Sequence, residues 1–154
     1  MKITKVDVSV SVNYYGKPYQ MVVAILTLWK YSHQHIENIY LVVEKEQPFE
    51  QYGGVKLLEW ALKGLPIHYF FLDHFYYHGF TPIESLDQEN IRYCLKYQYG
   101  LEKTNKKFHF LSHNDCLYQT DLLGMMLQKV KESDAQVAGI GMIGQCWNCP
   151  ALFA

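Results

Sequence analysis

The sequence predicts an α/β fold: a Rossmann-like three-layer sandwich on a mostly parallel sheet of about five strands. Three observations carry this. Strand-like and helix-like segments alternate along the whole chain. The strand-like segments are short and rich in Val, Ile and aromatic residues. No Pro/Gly/Ser-rich linker, internal repeat or low-complexity tract divides them, so residues 1–154 read as one domain.

The elements follow in order. Lys5 to Val12 alternates Val with polar residues and reads as the first strand. A turn cluster from Asn13 follows, and Pro18 suits the first turn of a helix, where a missing N–H costs nothing. Tyr19 to Tyr31 is then helical, with Val22 or Val23, Leu26 and Trp29 as its apolar stripe. Ile39 to Val43 is a continuous apolar run, as in a strand covered on both faces. Gly54 to Leu62 is a short helix on which Val55, Leu58 and Leu62 share a face, with Gly64 as its stop. Ile67 to Leu72 is a third strand, followed by an aromatic and His-bearing loop, Asp73 to Phe80. Ile83 to Tyr99 is helical by its Ile83, Leu86, Ile91, Leu95, Tyr99 stripe. Phe108 to Leu111 is the fourth strand, Thr120 caps a helix through about Lys131, and Gln136 to Ile143 is the fifth strand.

Composition narrows the function. Hydrophobic residues make up 49% and charged residues 19%, which excludes a disordered chain. The net charge is −1, so there is no basic excess for a phosphate backbone, and nucleic acid is not an expected partner. No apolar run approaches the roughly 20 residues of a membrane span. The N-terminus has no signal-peptide pattern, so a cytoplasmic location is expected. Cys94, Cys116, Cys146 and Cys149 then read as thiols. The CxxC of Cys146 and Cys149 lacks the second pair that a zinc ribbon needs.

Right-handed crossovers place the carboxyl ends of parallel strands on one rim, where ligands of open α/β sheets bind. No GxGxxG directly follows the first strand and GxxxxGK[ST] occurs nowhere, so neither a dinucleotide fingerprint at that strand nor a P-loop is present. The sharpest signal on the rim is Ser112-His113-Asn114-Asp115 at the end of the fourth strand. A strand-end carboxylate can hold Mg²⁺ or Mn²⁺. The same Asp115 could equally close the loop as an Asx-turn. Tyr14 or Tyr15 could stack on a base, Glu44 could accept hydrogen bonds from a base or ribose, and Asp73 lies one strand further along. Each could also be an ordinary solvated loop residue. Arg92 is the only arginine, and its planar fork suits phosphate or carboxylate. It could also be a cation whose stem lies along the helix surface.

Taken together, these residues resemble the nucleotide-binding half of a GT-A-type glycosyltransferase of the inverting, nucleotide-sugar-dependent kind. The likeness lies in Val10-Ser11-Val12-Asn13-Tyr14-Tyr15 after the first strand, Glu44 after the second, Ile91-Arg92-Tyr93 before the fourth, and Ser112-His113-Asn114-Asp115 after it. It spans about Val6 to Cys149 as a pattern of positions. His113 stands where the first acid of the family's Asp-x-Asp motif would be, so Asp115 alone matches that motif.

The resemblance implies binding of a nucleoside diphosphate sugar for transfer to an acceptor. Asn13, Tyr14, Tyr15, Glu44, Asp73 and Arg92 would hold the nucleotide, and Asp115 with His113 a divalent metal, Mn²⁺ or Mg²⁺. The other reading is a non-catalytic α/β binding or assembly module. Enzymes of this kind carry their acceptor site and base in a following segment that this sequence does not contain. The tail from Gly144 to Ala154 bears Trp147, Leu152 and Phe153. Without cover these would form an apolar patch, so self-association through the C-terminal region is expected.

Overall fold

The structure, a computed structural model, describes residues 8–14, 16–43, 54–71, 100–133, 136–139 and 151–153. Its strands are β1 (Val8–Tyr14), β2 (Ile36–Val43), β3 (Ile67–Phe71), β4 (Phe108–Ser112), β5 (Val137–Gly139) and β6 (Ala151–Phe153). Its helices are α1 (Pro18–Ser32), α2 (Gly54–Ala61) and α3 (Leu122–Ser133). A further helical turn covers 100–103.

The strands form a six-stranded sheet in the order β3-β2-β1-β4-β6-β5. β3, β2, β1 and β4 are mutually parallel, and β6 runs antiparallel to both β4 and β5. The α/β, mostly parallel architecture is therefore as expected; among the described residues the sheet has six strands where about five were expected, and the additional one is β6. It comes from the tail. Leu152 pairs with Phe110 on one side and Ala138 on the other. The tail residues 151–153 are thus an inner strand of the sheet, where the sequence suggested no strand after the fifth. A three-residue strand has too few positions to show a period, so its pairing is legible only in three dimensions.

The two faces of the sheet differ. Val8, Val10, Val12 and Tyr14 point to one face, where they join Ile39, Leu41 and Phe110 in the main core. Met21, Ile25 and Leu28 of α1, Leu58 of α2, and Leu123, Met126 and Leu127 of α3 cover them. Ser9 and Ser11 point the other way and are also fully buried. The turn at 100–103 lies on them: Thr104 Oγ1 donates to Ser9 Oγ at 2.7 Å, and Tyr40 Oη donates to the Lys103 carbonyl at 3.4 Å. Alternation in β1 thus separates a large-residue face from a small-residue face, both covered, as in a parallel sheet with layers on either side.

The boundaries of α1, α2 and α3 match the expected segments closely, whereas the helix expected over Ile83 to Tyr99 lies outside the described residues; two details change. Pro18 occupies the first turn of α1, as its fixed φ favours. The buried side of α1 is Met21, Ala24, Ile25, Leu28 and Ser32, whereas Val23 and Leu26 are exposed. Apolar residues all round α1 hid which stripe faces the sheet. The cap of α3 is Asp121 rather than Thr120: its Oδ1 accepts from the Gly124 N–H at 3.0 Å. Gly64, at φ +92°, ends the region of α2 in a conformation that glycine adopts without strain. No helix among the described residues is long and apolar enough to cross a membrane.

Candidate functional site

The parallel register brings the carboxyl ends of β1, β2 and β4 together. Val12 stands beside Ser112, and Tyr14 beside Val43. Asn13 and Tyr14 therefore border the segment that leaves β4 with His113, Asn114 and Asp115. Of the sequence-predicted site residues, Asn13, Tyr14, His113 and Asp115 are described. Tyr15, Glu44, Asp73 and Arg92 lie outside the described residues, as do Cys94, Cys146 and Cys149.

Each described residue has its own setting. Tyr14 has no exposed surface and its ring belongs to the main core, so that ring is not an open stacking surface. Asn13 lies on the opposite face, in line with Ser9 and Ser11. Its amide oxygen and nitrogen are buried and have no hydrogen-bond partner among the described residues. Such a group costs about 1–3 kcal/mol unless a bound molecule or water satisfies it. Ser11 Oγ and both ring nitrogens of His109 share that condition on the same face. Burial pushes the His109 imidazole down to about 4, so it is neutral at physiological pH. Asn13 thus ends a buried polar lane along the inner face of the sheet.

His113 and Asp115 follow the last residue of β4. Asp115 is exposed and His113 half-buried. Burial holds the His113 imidazole below its ordinary value, and the Asp115 carboxylate acts against that shift. A neutral imidazole beside a carboxylate is a fitting donor pair for a cation. No group of three His, Cys, Asp or Glu among the described residues could enclose a metal alone.

The loop after β4 is firmly built. Ser112 Oγ and the Tyr118 hydroxyl are 2.7 Å apart and buried, closing the loop at its base. The Tyr118 ring meets Phe110 edge-on, with centroids 6.4 Å apart. The Tyr118 N–H donates to Thr27 Oγ1 on α1 at 3.2 Å. Burial and the neighbouring Cys116 raise the Tyr118 pKa far above the usual value, so its hydroxyl keeps its proton. Asp115, Cys116 and Leu117 form one wall of an open groove of about 230 Å³; Tyr19, Gln20 and Val23 of α1 form the other.

Further along, Asp121 fastens the start of α3 to the end of α1. Its carboxylate accepts from Ser32 Oγ at 2.7 Å and Gln34 Nε2 at 2.9 Å, and lies 3.0 Å from His35 Nε2. Partial burial would raise its pKa, but hydrogen bonds from Ser32, the Gly124 N–H and His35 prevail and hold it below the ordinary value. Sequence reasoning singled out neither Tyr118 nor Asp121. The signal available for Asp121 was an Asp directly before an apolar helical stripe; Tyr118 had none, since its partners are distant or buried.

No family model and no curated protein matches the chain. Solved structures do. The crystal structure of S. aureus TarS 1-349 aligns with 91% of this chain at a TM-score of 0.59 and 13% sequence identity. This chain spans 37% of that structure's length. At this identity the likeness concerns the fold alone, and the fold of this chain is a Rossmann-like α/β fold.

Proposed function

We propose that this chain binds a nucleoside diphosphate sugar at the carboxyl rim of β1, β2 and β4, as the donor-binding part of a glycosyltransferase. The observation that carries the reading is the pairing of His113 and Asp115 just beyond β4, beside the end of β1, in a fold similar to that of TarS 1-349. Anionic diphosphate has to be neutralised as it leaves, and the rim of a parallel sheet is where that charge is met.

The donor set fits Mn²⁺ or Mg²⁺. These ions need only one or two protein carboxylates when phosphate oxygens and waters complete their shell. Asp115 would supply the carboxylate and His113 the neutral imidazole. A bound cation would supply charge neutralisation of the departing diphosphate. Asp115 and His113 would orient it, and the ends of β1 and β2 would receive the nucleoside. Glu44, Asp73, Tyr15 and Arg92 are the further residues assigned to that end by their place in the sequence.

Sugar transfer also needs a carboxylate to deprotonate the acceptor hydroxyl. Asp115, the carboxylate of the described rim, is taken by the metal role in this reading, so the base has no candidate among the described residues. A donor-binding module without turnover of its own is therefore the second reading. Calorimetry with UDP, with and without Mn²⁺, tests the first. Mn²⁺-dependent binding that Asp115→Ala abolishes at unchanged melting temperature is expected. Equal UDP affinity in the two proteins, with and without Mn²⁺, would overturn the metal role.

A further inference from the structure

The loop that carries His113 and Asp115 is held at its far end by Tyr118. Tyr118 is 6% exposed and engages three parts of the molecule at once. Its hydroxyl meets Ser112 Oγ at the last position of β4, its ring packs on Phe110 within β4, and its N–H is tied to Thr27 of α1. Thr27 is itself fixed, since its Oγ1 donates to the Val23 carbonyl at 2.7 Å. Residues 113–117 therefore span a closed loop with both ends pinned, one to the sheet and one to α1.

We infer that Tyr118 is a positioning residue: its hydroxyl, closed on Ser112, sets the geometry in which Asp115 and His113 face the rim. The inference rests on the donor-binding reading of that pair. Physically, the ring and the hydroxyl do different work. The ring fills core space and supports the fold. The hydroxyl fills no more than the volume of one atom, but it fixes where the chain leaves β4. Removing the oxygen alone leaves the ring packed and frees the loop. The Cys116 thiol is hydrogen-bonded to the same hydroxyl and also lines the groove, so it reports on the loop without reference to any ligand.

The test compares wild type, Tyr118→Phe and Ser112→Ala, which remove the same bond from its two sides. Two readouts are taken: Mn²⁺-dependent UDP binding by calorimetry, and the rate of Cys116 alkylation by iodoacetamide, followed by peptide mapping. Loss of one buried hydrogen bond of this kind is expected to weaken UDP binding about fivefold. Cys116 is expected to react severalfold faster, with folding cooperativity retained. Wild-type affinity and wild-type Cys116 reactivity in both variants would overturn the inference. If wild type itself does not bind UDP with Mn²⁺, the donor-binding reading fails, and Cys116 decides alone: faster alkylation in the variants supports the clamp, and an unchanged rate overturns it. If Tyr118→Phe does not fold, Ser112→Ala, which leaves the ring in place, carries both measurements.

Discussion

Asp121 and Ser32 meet at 2.7 Å, joining the first residue before α3 to the last residue of α1. The same carboxylate caps α3 through Gly124 and accepts from Gln34. One side chain thereby fixes how the two helices over the main core sit together.

Asp121→Ala is expected to destabilise the fold by about 2 kcal/mol, from the lost cap and the donors left without an acceptor. Urea denaturation measures it. Because the folded state holds this carboxylate below its ordinary pKa of 3.8, its contribution is present above that value. It is lost as pH falls through the lower, folded value. Asp121→Asn should therefore lie below wild type at neutral pH and converge with it under strongly acid conditions. Parallel stability curves down to the lowest pH would refute the assignment.

His109 acts in a separate pH window. Its pKa falls from 6.5 to about 4 on folding, so the unfolded chain binds the proton more readily. Above 6.5 the group is neutral in both states and has no effect. Between 6.5 and 4 stability declines with falling pH, by on the order of 3 kcal/mol in all. His109→Leu should flatten that part of the curve relative to wild type. An identical slope in the two proteins between pH 6.5 and 4 would show that His109 is not buried as described.

Gly100 is set by contact. A Cβ there would overlap the Ser11 hydroxyl and come within 2.8 Å of Ser11 Cβ and 3.2 Å of His109 Nε2. Gly100→Ala is expected to cost about 1–3 kcal/mol through overpacking. Ser11→Gly should recover part of that cost, because it removes both Ser11 atoms concerned. A double-mutant cycle checks this, and strict additivity would count against the contact.

Much of this fold was legible in the sequence because it is written locally. Val8, Val10 and Val12 alternate with Ser9 and Ser11, and Leu58 and Leu62 lie one helical turn apart. What escaped depends on residues distant in sequence. The burial of Ser9 and Ser11 follows from the turn at 100–103 lying on them. The buried stripe of α1 was misread because Val22, Val23, Leu26 and Trp29 make an apolar pattern as convincing as the one that faces the sheet. At the candidate site, strand ends marked Asp115 and His113, but nothing nearby in the chain pointed to Tyr118 as the tie beneath them. The strand alternation of β1 predicted which residues pair in direction, yet not that Tyr14 would be wholly interior and Asn13 would end a buried polar lane.

The insertion of β6 between β4 and β5 has a consequence for the order of folding. Among the described residues β5 has no ladder to β4; its partner in the sheet is β6, which joins it to the other strands. The half of the sheet from β3 to β4 can assemble through βαβ crossovers, each strand adding beside one already in place. β5 cannot join that way. It must wait for Ala151–Phe153 to return and zip against Phe110, a non-local step that carries a larger loop-closure cost than any hairpin. The edge of the sheet should thus be its last part to form and its first to open. Amide exchange in Val137–Gly139 and Ala151–Phe153 should accordingly be faster, and rise and fall together, while β1 exchanges only by global unfolding.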